Sequence, residues 1–153
     1  MSIDQRLAEL GITLPQPAAP VASYVPAVLT GNLLHISGQV SFAEDGSRIV
    51  GRLGEDMDLE GGQEAARRCG LMLLAQMKQA LGSLDRVSRI VKLGVFVNSA
   101  GDFTDQPKVA NGASDLMQEV FGEAGRHARA AVGVPALPLG VAVEVDAIVE
   151  VRD

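Results

Sequence analysis

The closing stretch of the chain constrains its fold most. From residue 141 to 151, Val141, Val143, Val145, Ala147, Val149 and Val151 alternate with Ala142, Glu144, Asp146, Ile148 and Glu150. Successive side chains of a strand point to opposite faces, so this alternation makes one unbroken apolar face and one largely polar face. The first belongs to a core, and the second is available for chemistry. Just upstream, Gly125-Arg126-His127-Ala128-Arg129-Ala130-Ala131-Val132-Gly133-Val134 reads as another strand of mostly small residues. The same period of two puts Arg129, Ala131 and Gly133 on one face and Ala130, Val132 and Val134 on the other. A guanidinium beside alanine and glycine has space around it.

The rest of the chain places these strands in a sheet with helices. Residues 4 to 10 suit a short amphipathic helix, and Leu14-Pro15-Gln16-Pro17 with Pro20 imposes an extended lead-in over the first 22 residues. Tyr24 to Leu29 and Leu33 to Val40 read as strands joined at Gly31-Asn32, a pair that tolerates the positive φ of a tight hairpin. Glu44-Asp45-Gly46-Ser47 marks a turn before a short strand at Arg48 to Val50. Leu59 to Leu81 changes to helical spacing, with Ala66, Cys69, Leu73, Met77 and Ala80 on one stripe, Asp58 as N-cap and Gly82 as stop. Val87 to Asn98 is a strand with Val91, Leu93, Val95 and Val97 on one face. Gln106 to Phe121 is a second helix, ended by Gly122 and containing Gly112, whose smallness suits close packing by another element. Strand, crossover helix and strand in succession predict an α+β or mixed α/β domain spanning residues 1–153.

Composition narrows the function. A chain of 153 residues, 47% hydrophobic and 21% charged, can bury a sizeable core. Its net charge of -6, with 13 Lys and Arg scattered among 19 acids, argues against nucleic acid as a partner, because phosphate binding needs clustered basic groups. No apolar run approaches the ~20 residues that span a bilayer, and Met1-Ser2-Ile3-Asp4-Gln5-Arg6 lacks the pattern of a secretory signal. A cytoplasmic location is expected. The single cysteine, Cys69, fits a buried core thiol, and no Cys/His cluster offers a metal site.

The motifs also carry a resemblance. R-x-x-V-x-V-x-x-L-P from Arg129 to Pro138, followed by V-E-V-x-A-I from Val143 to Ile148, is similar to the C-terminal signature of the YjgF/RidA family of enamine and imine deaminases. Upstream, Ser23-Tyr24-Val25 and Gly31-Asn32-Leu33-Leu34-His35-Ile36-Ser37-Gly38-Gln39 extend the likeness over most of the chain from Tyr24 onward. Asn111-Gly112-Ala113-Ser114-Asp115-Leu116 and the G-x-H-A-R-x-A-V-G form of the arginine segment resemble a longer branch of that family.

The resemblance implies a chorismate-mutase-like fold, a mixed sheet with two main helices packed on one face, and a homotrimer with pockets between subunits. It implies cofactor-independent hydrolysis of 2-aminoacrylate-like enamines and imines to 2-keto acids and ammonia. A non-catalytic module that binds small carboxylates is the alternative, and endoribonuclease activity is a more remote one. Periodicity alone makes Arg129 a salt-bridge partner of Glu144 or Asp146, and Glu144 a solvated carboxylate. The resemblance instead implies that Arg129 anchors a substrate carboxylate, which a planar guanidinium can hold with two parallel hydrogen bonds. Glu144 then orients or activates water. Tyr24, Ser37, Gly38, Asn111 and the Ala131 backbone are implied to shape the pocket. Many relatives carry a cysteine where this chain has Ala131, so no thiol is available there. His127 titrates in the physiological range as a residue type, but with no partner visible in the sequence it reads as a structural or rim residue.

Overall fold

The structure is a computed structural model describing residues 1–17, 19 and 22–153. The part of the extended lead-in read at Pro20 lies outside them. Helix α1 (Ile3–Glu9) begins in a capping box: the Ser2 hydroxyl accepts from the Gln5 amide, and the Gln5 side chain accepts from the Ser2 amide. Strands β1 (Ala27–Thr30) and β2 (Leu33–Val40) pair antiparallel around Gly31, whose φ of 60° is the left-handed value the turn needs.

The sequence reading starts β1 at Tyr24, whereas pairing begins at Ala27. Pro26 has no N–H to donate to the ladder, and Ser37 ties this segment to β2: its amide donates to the Pro26 carbonyl at 2.9 Å. Arg48 to Val50 forms isolated bridges to Phe42 and Val141 rather than a strand.

Helix α2 (Leu59–Leu81) is capped by Asp58, which accepts from the Gly61 amide at 2.7 Å, and stops at Gly82 with φ 81°. Ala66, Cys69, Leu73 and Met77 are buried as the stripe predicts, but the last turn buries Leu81 and leaves Ala80 exposed. Strand β3 (Val87–Asn98) buries Val87, Ile90, Leu93, Val95 and Val97. Val91 is not among them, because register shifts on either side of Ile90 reset the alternation before Leu93. Helix α3 (Gln106–Phe121) then crosses to β4 (Ala128–Val134), and β5 (Val143–Val151) closes the chain.

The five strands form one mixed sheet in the order β1-β2-β5-β3-β4, in which β3 and β4 are parallel and the other pairs antiparallel. Helices α2 and α3 pack on one face and against each other. Their approach depends on Gly112, where a methyl group would overlap the backbone of Gln63. Leu34, Ile36, Leu93, Val95, Val145 and Ala147 meet Leu73, Leu74, Met77, Leu116 and Met117 in this core. The opposite face remains open among the described residues, with Val28 and Val132 about half exposed.

Candidate functional site

Arg129 is the second residue of edge strand β4, in register with Leu93 of β3. Leu93 is fully buried under the helices, so the arginine stem lies on the helix-covered face, at its edge. There α3 supplies two partners one helical turn apart. Nη1 of Arg129 donates to Oδ1 of Asn111 at 2.9 Å and to Oγ of Ser114 at 3.1 Å. Ser114 also lies 2.8 Å from Nε2 of His127, whose Nδ1 is 2.7 Å from the Gly125 carbonyl. A carbonyl can only accept, so Nδ1 carries a proton, and in the neutral ring Nε2 accepts from the Ser114 hydroxyl. Burial pushes His127 below the ordinary imidazole range; the Gly125 bond opposes this, and the Arg129 charge adds to it. Ser114, Asp115, Gln118, Gly125, Arg126, His127 and Arg129 line a pocket of about 200 Å3.

A second cluster forms around the irregularity in β2 between Ile36 and Gln39. The Ser37 hydroxyl donates to the Val25 carbonyl at 2.9 Å, pinning the segment that carries the half-exposed Tyr24. Next to it Gly38 faces Glu144 of β5, and a methyl group at Gly38 would overlap the Glu144 carboxylate. Glu144 pairs with Val40 on one side and Phe96 on the other, on the open face of the sheet. Burial raises its carboxyl above the ordinary range, and the Asp146 charge raises it further.

The two clusters do not meet within one chain. Arg129 aligns through Leu93 with Ala147 on the helix face, whereas Glu144 aligns with Phe96 on the open face. Their strands are also separated by β3, which places the backbones about 10 Å apart at ~4.8 Å per strand. Arg129 forms no ion pair with Glu144 or Asp146 among the described residues; its partners are Asn111 and Ser114. Ala131 lies on the Arg129 face, in register with Val95 and half-buried against the core. The residue that sequence reasoning missed is Ser114. The signal was the i, i+3 spacing from Asn111, which puts both side chains on one helix face. Cys69 is buried and its thiol is pushed far above its ordinary range by burial.

Comparison with known proteins connects this geometry to a family. A family model described as "YjgF/chorismate mutase-like, putative endoribonuclease" matches residues 4–151. Protein TCP17 of Trypanosoma cruzi is 55% identical over 148 residues, covering 96% of this chain and 92% of that protein. A 2-iminobutanoate/2-iminopropanoate deaminase of Dermatophagoides farinae is 27% identical, covering 92% of this chain and 95% of that one. The crystal structure of Atu1372, a protein of unknown function from Agrobacterium tumefaciens, superposes with a TM-score of 0.90 at 47% identity, covering 99% of this chain and 94% of that one. With its five-stranded mixed sheet backed by two helices, the chain belongs to the YjgF/RidA family and has its chorismate-mutase-like fold.

Proposed function

We propose that the protein hydrolyses reactive enamine and imine intermediates of the 2-aminoacrylate kind to 2-keto acids and ammonia, without a cofactor. The observation that carries this reading is the setting of Arg129. Asn111 and Ser114 both engage Nη1, which leaves Nη2 and Nε without a hydrogen-bond partner among the described residues, at the edge of a polar pocket. A guanidinium fixed on one side and open on the other suits a small carboxylate. The likeness to a 2-iminobutanoate/2-iminopropanoate deaminase supports the substrate class. Once the carboxylate is anchored, the imine carbon is the electrophile, and Glu144 with its raised carboxyl handles water and protons.

Because Arg129 and Glu144 occupy opposite faces of one sheet, this chemistry calls for a second copy whose Glu144, Gly38, Ser37 and Tyr24 come to the first copy's Arg129. A homotrimer with its sites between subunits meets that requirement. The absence of a thiol at Ala131 favours one competing reading, a module that binds small carboxylates without turning them over.

The test is a purified-protein assay on 2-iminopropanoate generated in situ. The expected result is faster appearance of the 2-keto acid, abolished by Arg129→Ala. Absence of any acceleration across a panel of imines, with 2-keto acids still binding at Arg129, would leave the binding module standing instead.

A further inference from the structure

We propose that Ser114 and His127 are an acid–base pair on the Arg129 side of the site, with the Ser114 hydroxyl passing protons between the reacting groups and the His127 ring. This rests on the imine-hydrolysis reading above and adds a proton acceptor that the same chain supplies beside its own Arg129.

The polarity of the hydrogen bonds carries the argument. With Nδ1 committed to the Gly125 carbonyl at 2.7 Å, the Nε2 lone pair faces Ser114 Oγ at 2.8 Å. The Ser114 proton therefore points at the ring, while its oxygen accepts from Nη1 of Arg129 at 3.1 Å. A hydroxyl between a base and a cation has its proton drawn one way and the charge left on oxygen stabilised from the other. This is the arrangement of reactive group, base and orienting group sought in a working site, here with a carbonyl as orienter.

Location agrees. Ser114, His127 and Arg129 line one pocket and are half-buried rather than sealed into the core. Glu144, by contrast, lies on the other face of the same sheet. The charged groups around the ring are Arg129 on its own strand, Arg126 just before it and Asp115 from α3, while Arg89 of β3 reaches the Arg126 carbonyl. Burial and Arg129 favour the neutral ring, which is the form that can take a proton.

In the step itself, water adds through oxygen to the imine carbon as the C=N electron pair moves to nitrogen. With the second copy's Glu144 orienting that water, the water proton passes to Ser114 Oγ while the Ser114 proton passes to His127 Nε2. The imidazolium returns a proton to nitrogen by the same route. A second pass moves the carbinol proton to nitrogen, the C–N bond breaks, and ammonia and the 2-keto acid leave. Imine and water are consumed, and the pair is restored.

The test compares wild type with His127→Gln, Ser114→Ala, Ser114→Thr and Arg129→Ala on in situ 2-iminopropanoate across about pH 5 to 8, with circular dichroism to verify folding. Glutamine keeps a hydrogen-bonding group toward Ser114 but cannot take a proton. The expected result is a kcat roughly 100-fold lower in His127→Gln and Ser114→Ala, with KM within about twofold of wild type. The acidic limb of the wild-type profile should lose its His127 component in His127→Gln, leaving the part that belongs to Glu144, and Ser114→Thr should recover most of the rate. If Ser114→Ala does not fold, the His127→Gln and Ser114→Thr pair decides.

An unchanged kcat and acidic limb in His127→Gln, or a rise in KM alone as for a strut under Arg129, overturns the relay while Arg129→Ala remains inactive. A wild type that accelerates nothing, indistinguishable from Arg129→Ala, defeats the imine-hydrolysis reading and the relay with it.

Discussion

The Arg129 cluster and the Glu144 cluster are built by different local physics. At Arg129 the constraint comes from side chains: two residues of α3 grip one guanidinium nitrogen, and a histidine buttresses one of those residues. At Glu144 it comes from main chain: an irregular β2 and a glycine bring backbone against a carboxylate that a methyl group would displace. The first is set by the packing of α3 on the sheet, and the second by strand register. The difference teaches that the two halves are independent within one chain. They share neither a face nor an element, so a mutation can disable one and spare the other.

The strongest way to break this comparison is complementation. Arg129→Ala should lower kcat/KM by roughly 1,000-fold, because a carboxylate loses the guanidinium that Asn111 and Ser114 hold in place. Glu144→Gln should also be nearly inactive. If the halves come from different copies, co-expressing the two inactive variants should restore about a quarter of the sites, those joining an intact Arg129 to an intact Glu144. Activity of the mixture no higher than that of either parent would place both residues in a site within one chain, against the geometry.

Next in size is Gly112→Ala. Its new methyl would meet the Gln63 backbone, which cannot swing aside, so α3 must move away from α2. A loss of roughly 3 kcal/mol or more is expected, seen as a fall in Tm of about 6–12 °C. Because Asn111 and Ser114 flank the glycine, binding of a 2-keto acid should weaken as well. At the other half, Gly38→Ala meets only the far end of a flexible side chain, so Glu144 turns aside instead of the backbone shifting. The expected outcome is a kcat lower by about tenfold with stability within about 1 kcal/mol of wild type. A large fall in Tm would mean that Gly38 is a fold residue and not a site residue.

How much of this was legible in the sequence differs between the halves for the same physical reason. The strand alternation of β5, the helix bounds at Asp58 and Gly82, and the close approach at Gly112 are local signals, and the structure has all three. The resemblance also named the Ser37-Gly38 step and Glu144 as candidates, and the structure puts Gly38 against Glu144. That Arg129 and Glu144 face opposite ways could not be read from the sequence, since it depends on the parallel register of β4 on β3 and the antiparallel register of β5 on β3 together. The same holds for Val91, displaced from the core by a register shift with no residue signature of its own, and for Ser114, whose bond to His127 crosses from helix to strand.

The smallest expected effect is on stability, and it has opposite signs at the two halves. Glu144 is raised by burial first and by Asp146 second. A carboxyl raised in the folded state holds its proton more tightly there than in the unfolded chain. The stability it contributes is therefore full below the unfolded pKa and falls as pH rises through the raised folded value. Glutamine has no proton to lose, so Glu144→Gln should match wild type below about pH 4 and melt about one to three degrees higher at neutral pH. His127 is lowered chiefly by burial, so its contribution is full above the unfolded imidazole pKa and is lost as pH falls through the lowered folded value. His127→Gln should therefore gain on wild type only on the acid side of about pH 6.5. Thermal melts of the three proteins across that span check both arms at once. Should both variants gain in the same direction, the two groups titrate as a coupled pair across the contact between copies, and their separate burial within one chain does not set their pH dependence.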